Sequence, residues 1–171
     1  MTTHDPLSTE RHDLLEVLAK HRALFRQTVA GLTDEQAAKR TTVSQLSLGG
    51  LIKHVAEVES RWAEFIVKGP EVMRYDPNAG GDWLAGFRIE PGETLAGLLQ
   101  HYDDVARRTD ELVATLADLD ASQPLPSAPW FEPGASWSAR RVFIHMVAET
   151  AQHAGHADII RESLDGAKTM S

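Results

Sequence analysis

Val142-Phe143-Ile144-His145-Met146-Val147-Ala148-Glu149-Thr150-Ala151-Gln152-His153-Ala154-Gly155-His156-Ala157-Asp158-Ile159-Ile160 is the most informative run of the chain. Val142, Met146, Ile160 and the following Leu164 keep to one face at helical spacing. This predicts a helix from about Ser138 to Leu164, stopped by Asp165-Gly166. His145, Glu149, His153 and His156 are separated by four, four and three positions. At about 100° per residue they fall within roughly 80° of arc, the arc of the apolar stripe itself. Titratable side chains therefore face the core, where unpaired charge costs several kcal/mol and calls for compensation. A divalent metal is the most direct compensator, because it takes a carboxylate and neutral imidazoles as ligands.

The same helical period runs through most of the remaining chain. Leu14, Leu15, Val17, Leu18, Leu24, Phe25 and Val29 predict a helix from Thr9 to about Leu32. Thr33-Asp34-Glu35-Gln36 reads as a capping box opening a short helical turn. Leu48, Leu51, Ile52, Val55, Val58, Trp62 and Ile66 predict a long helix after Ser47, ended by Gly69-Pro70. Leu95, Leu98, Leu99, Tyr102, Val105, Leu112, Val113 and Leu116 predict another from about Thr94 to Leu119. Strand signals are nearly absent, so an all-α four-helix bundle over residues 1–171 is the expected fold. Two connections are long enough to cross over the bundle and wall a pocket: 69–93, with Tyr75, Trp83 and Phe87, and 120–136, with Trp130 and Phe131.

Glu149 and His153, one turn apart, can reach a single ion, and a third ligand should come from a facing helix. His54, at the flank of the second apolar stripe, is the candidate. Two imidazoles and one carboxylate leave coordination open, as in catalytic rather than structural zinc. Blander readings are expected elsewhere. His4, His12, His21 and His101 read as solvated or satisfied histidines, and Glu57 and Glu59 as surface carboxylates. Trp62, Trp83, Trp130 and Trp137 read as packing residues, and Arg140, Arg141 and Arg161 as solvated charges.

Composition narrows the chemistry further. The 171 residues carry 17 Lys and Arg against 25 Asp and Glu, a net charge of −8 that argues against nucleic acid as a partner. No apolar run reaches the roughly 18–20 residues of a membrane span. Met1–Pro6 lacks the basic flank and apolar stretch of a signal peptide, so a soluble cytoplasmic protein is expected. There is no cysteine, which removes disulfides, thiolate metal sites and a cysteine nucleophile together. Any reacting thiol must come from a cofactor or substrate. The zincin His-Glu-x-x-His, the paired Glu-x-x-His of di-iron bundles, a Gly-rich phosphate loop and a Gly-x-Ser-x-Gly elbow are all missing.

Leu48-Gly49-Gly50-Leu51-Ile52-Lys53-His54 and Glu149-Thr150-Ala151-Gln152-His153-Ala154-Gly155-His156-Ala157-Asp158-Ile159-Ile160-Arg161 resemble the DinB-like superfamily of metal-binding four-helix bundles. Within it the chain is similar to the branch of mycothiol-dependent maleylpyruvate isomerase and mycothiol S-transferases. The resemblance implies His54, Glu149 and His153 as metal ligands, zinc as the metal, and His156 as a neighbour of the ligands or a pocket wall. It also implies mycothiol, or a related low-molecular-weight thiol, as cosubstrate, and a small-molecule electrophile as its partner in a detoxification reaction. A homodimer is compatible with it. The isomerase has an additional C-terminal domain, whereas this sequence stops at Ser171, so simple S-transfer is the expectation. The alternatives are a metal-dependent hydrolase, in which the open position activates water, and a bundle that binds a metal or small ligand without catalysis.

Overall fold

The structure is a computed structural model and describes residues 7–73 and 83–169; His4, Tyr75 and the side chain of Trp83 lie outside the described residues. Its helices are α1 (Thr9–Gln27), α2 (Asp34–Ala38), α3 (Leu48–Lys68), α4 (Leu95–Thr115) and α5 (Ala139–Asp165). Every one is opened by a hydroxyl: Ser8, Thr33, Ser47, Thr94 and Ser138 each accept from the amide three residues on. Those hydroxyls satisfy amides that a helix start leaves without carbonyl partners. The capping box at Thr33 is present, with Gln36 closing it. At the other end of α5, Gly166 takes φ 79°, a left-handed cap that a side chain would disfavour.

Two helices stop earlier than their apolar pattern does, for the same reason. α1 ends at Gln27 rather than Leu32, because Thr28 Oγ1 donates to the Phe25 carbonyl at 2.7 Å and Arg161 Nη1 donates to the Thr28 and Ala30 carbonyls at 3.0 Å. α4 ends at Thr115 rather than Leu119, where the Arg11 guanidinium donates to the carbonyls of Val113 and Leu116. A cation at a helix C-terminus satisfies orphan carbonyls and complements the helix dipole. Arg161, expected as a solvated charge, is thus a largely buried cap. Arg140 is paired with Glu10 and Asp120, and the Arg141 guanidinium lies 4.5 Å from the centre of the Trp137 ring.

α3 packs between α4 and α5, and α1 packs against α5 and α4. α1 and α3 are therefore diagonal, as are α4 and α5. The 116–138 connection crosses the bundle to reach α5, while the 69–94 connection joins the neighbours α3 and α4. Within the former, strands β1 (Ser122–Pro124) and β2 (Ser136–Ser138) form an antiparallel pair in which Gln123 faces Trp137. Three residues per strand are too few to show alternation, which is why the sequence gives no sign of them.

The core has two apolar halves. One gathers Phe25, Leu51, Ile52, Val55, Tyr102 and Ile160, the other Leu18, Trp62, Phe65, Val113, Phe143 and Met146. Between them lies a polar waist of Arg22, Glu59, Thr109 and Thr150, all buried. Glu59 is no surface carboxylate: it is 2% exposed and receives Arg22 Nη2 at 2.5 Å and Arg22 Nε at 3.2 Å. Arg22 reaches across the diagonal to make this pair and also donates to Asp110 Oδ1 at 2.8 Å. Glu57 is exposed, with His101 Nε2 at 3.5 Å.

Candidate metal centre

His54 projects from the middle of α3 and is held from one side by an aromatic ring. Its imidazole stacks on Phe87, with centres 4.0 Å apart and planes 24° from parallel. Phe87 can lie there because α3 has no side chain at Gly50, where a Cβ would collide with the Phe87 carbonyl group. Ser47 caps the same turn, its hydroxyl also 3.5 Å from the Phe87 carbonyl. The glycine pair in the sequence motif thus has a physical purpose: it lets the loop backbone cross α3 one turn before His54.

α5 brings the other groups to meet His54. One atom each from His54, Glu149 and His153 lies within 4.8 Å of the others, and the His54 and His153 rings meet edge to face at 4.9 Å. His153 Nε2 is 3.7 Å from Glu149 Oε2. Among the described residues this is the one group of three or more His, Asp and Glu able to share an ion. A divalent ion with donor bonds of about 2.0–2.2 Å keeps its donors within about 4.2 Å of each other, so small side-chain rotations close the triad. The donor set fits a borderline-soft ion such as zinc.

The other two histidines of α5 flank the triad without joining it. His145 Nε2 approaches Glu149 Oε1 at 3.4 Å, and His156 Nδ1 approaches His153 Nδ1 at the same distance. With His153 donating from Nδ1 to His156 Nδ1, the Nε2 lone pair of His153 faces Glu149, the tautomer a metal ligand requires; with His156 as donor the lone pair is spent on that contact.

Electrostatics favour neutral rings. Burial, followed by the nearby His153 and Arg61, lowers His54 from 6.5 to about 4. Burial lowers His153 as well, against the pull of Glu149 and aided by His156. Burial and Arg141 do the same to His145, again opposed by Glu149. At neutral pH the triad offers imidazole lone pairs and a carboxylate without a cation of its own.

Aromatic rings continue from this group along the α3–α5 seam. Trp62 and Trp137 stack at 5.0 Å and 13°, and His145 stands edge-on to both, at 4.9 and 5.0 Å. Trp62 is a core residue, as its spacing predicts, whereas Trp130 is 62% exposed and outside the core. Of the remaining histidines, His12 is exposed beside Glu16, and His21 lies on α1 away from the triad. Phe87 and Trp137 contact His54 and His145 of the candidate site, contacts that spacing alone does not reveal.

Comparisons with known proteins give the family and the fold. The family model described as mycothiol-S-transferase matches residues 13–166. A solved structure, a conserved protein from Enterococcus faecalis, is similar with a TM-score of 0.69 at 14% identity, over 91% of this chain and 97% of that one. No curated protein matches. Among the described residues no helix is long and apolar enough to cross a membrane.

Proposed function

The chain belongs to the mycothiol-S-transferase family, and on that premise we propose that it is a metal-dependent thiol S-transferase acting on a small-molecule electrophile. The observation that carries the metal dependence is the meeting of His54, Glu149 and His153 across two helices. His54 and His153 would hold the ion through neutral imidazoles, and Glu149 would supply the anionic donor. When bound, zinc acts as a Lewis acid and lowers the pKa of a thiol near neutral pH. Phe87 fixes the His54 ring, and His156 would accept from His153 Nδ1 when Nε2 holds the ion, so the donors need little reorganisation. The partly exposed Glu149 and His145 leave the group open on the side of the aromatic rings.

The chain has no cysteine thiol, so the nucleophile is the cosubstrate thiol, with mycothiol preferred. The thiol gives up its proton to solvent. Its sulfur lone pair forms the carbon–sulfur bond while the carbon–leaving-group bond breaks and the leaving group departs with the bonding pair. With an epoxide, the ring oxygen takes that pair and a proton.

The test follows loss of free mycothiol with a haloaromatic electrophile, using metal-stripped and zinc-restored protein. Conjugation that requires both zinc and thiol is expected. Zinc-dependent hydrolysis that proceeds unchanged without thiol would contradict the transferase reading and favour the hydrolase, and the absence of both turnovers would favour a binding bundle.

A further inference from the structure

A row of aromatic rings leads from Glu149 to the surface. It starts at His145, whose Nε2 is 3.4 Å from Glu149 Oε1. It continues through Trp62 of α3 and Trp137 of β2, which stack on each other and both meet the His145 ring. Phe131 stands edge-on to these two, at 6.4 Å from Trp62 and 5.8 Å from Trp137. The next ring is Trp130, 6.1 Å from Phe131 and 62% exposed. The other large hydrophobic residues exposed among the described residues are all aliphatic.

Two stretches distant in sequence, Trp62 of α3 and residues 130–145, contribute to this row, and its inner end touches the candidate metal group. The packing of Trp62 accounts for the core, but a tryptophan left mostly in solvent adds little to it. Rings with centres about 4.5–7 Å apart attract one another through offset or edge contacts, so such a row takes up a further ring readily. The Arg141 guanidinium over Trp137 adds positive charge at the rim, which suits electron-rich oxygens on a ring substituent.

We infer that this aromatic row is the binding surface for the electrophile and that it selects planar, electron-poor aromatic compounds. The inference rests on the transferase reading for the identity of its ligand. Its primary test is independent of turnover. 1,3-Dinitrobenzene, which has the ring but no leaving group, is titrated into the metal-free, nitrogen-15-labelled full chain. Saturable shifts of the Trp62, Trp130 and Trp137 indole N–H resonances are expected. Trp130→Ala should weaken binding by about three- to tenfold, and Trp130→Phe should recover most of the loss. In turnover, Trp130→Ala should raise KM for 1-chloro-2,4-dinitrobenzene by the same factor, with KM for mycothiol moving less than about twofold. The preference for this substrate over propylene oxide should fall in step. Absence of saturable indole shifts would overturn the inference even if the protein proves to be a transferase. A rise in the KM for mycothiol in place of that for the aromatic substrate would also overturn it, by giving the row to the sugar portion of the thiol.

Discussion

Two polar groups sit at the waist of this bundle, and they solve the same problem in opposite ways. Arg22, Glu59 and Asp110 form a closed set, in which a guanidinium meets two carboxylates at 2.5 and 2.8 Å. His54, Glu149 and His153 form an open set, with lone pairs converging within 4.8 Å and no cation among them. The first set needs nothing from outside, because the buried Arg22 and Glu59 compensate each other and Asp110, 42% exposed, is solvated. The second gathers ligands that attract a cation, in a place reached from solvent. The difference separates a cluster that closes the fold from one that we propose holds an ion.

The largest expected effect comes from opening the closed set. Arg22→Met strands Glu59 and should cost about 3–5 kcal/mol of stability in urea unfolding. Adding Glu59→Leu should recover most of that loss, since an apolar pair replaces a buried ion pair at little cost. A loss below about 1 kcal/mol for Arg22→Met would mean the pair is not structural, and the comparison would fail. Gly50→Ala comes next. Its methyl would press on the Phe87 backbone and should cost about 1–3 kcal/mol, with weaker zinc binding because the partner of His54 moves. Gly155, on the exposed face of α5, has no atom within 4 Å of an added Cβ. Gly155→Ala should therefore gain about 0.5–1 kcal/mol, the ordinary helix effect.

The open set should also show itself in acid. The unfolded chain protonates a histidine near 6.5, while folded His54 waits until about 4, and His153 and His145 are shifted in the same direction. Between those values the unfolded state binds more protons, so metal-free stability should be full above pH 6.5 and fall as pH drops towards 4. Urea midpoints at pH 7 and pH 5 measure this slope. His54→Gln should flatten it, and an unchanged slope would show that His54 titrates normally. His21→Ala should leave zinc affinity unchanged.

Much of this architecture is legible in the sequence, because long helices write their buried faces at a regular period. Val142, Met146 and Ile160 lie where that period puts them, and it is the same period that turns His145, Glu149 and His153 inward. The polar waist was legible in principle. Glu59 continues the series Ile52, Val55, Trp62, Ile66, although its charge type points to the surface, and Arg22 continues Leu14, Leu18, Phe25, Val29. A periodic position outweighs residue type when a partner of opposite charge occupies the same level of a diagonal helix. Phe87 was not legible as the support of His54, because that contact depends on a loop crossing α3 at Gly50. The helix ends at Gln27 and Thr115 were missed because Arg161 and Arg11, both remote in sequence, set them.

The central claim is that the open set binds one divalent ion, and calorimetric titration of zinc into the metal-free chain tests it most directly. Wild type, His54→Ala, Glu149→Gln and His153→Ala should be compared, with helical circular dichroism recorded on each. One ion per wild-type chain is predicted, with affinity falling by more than about a hundredfold in every variant while the helical signal persists. Full stoichiometric binding in any of the three variants, or none in the wild type, would contradict it.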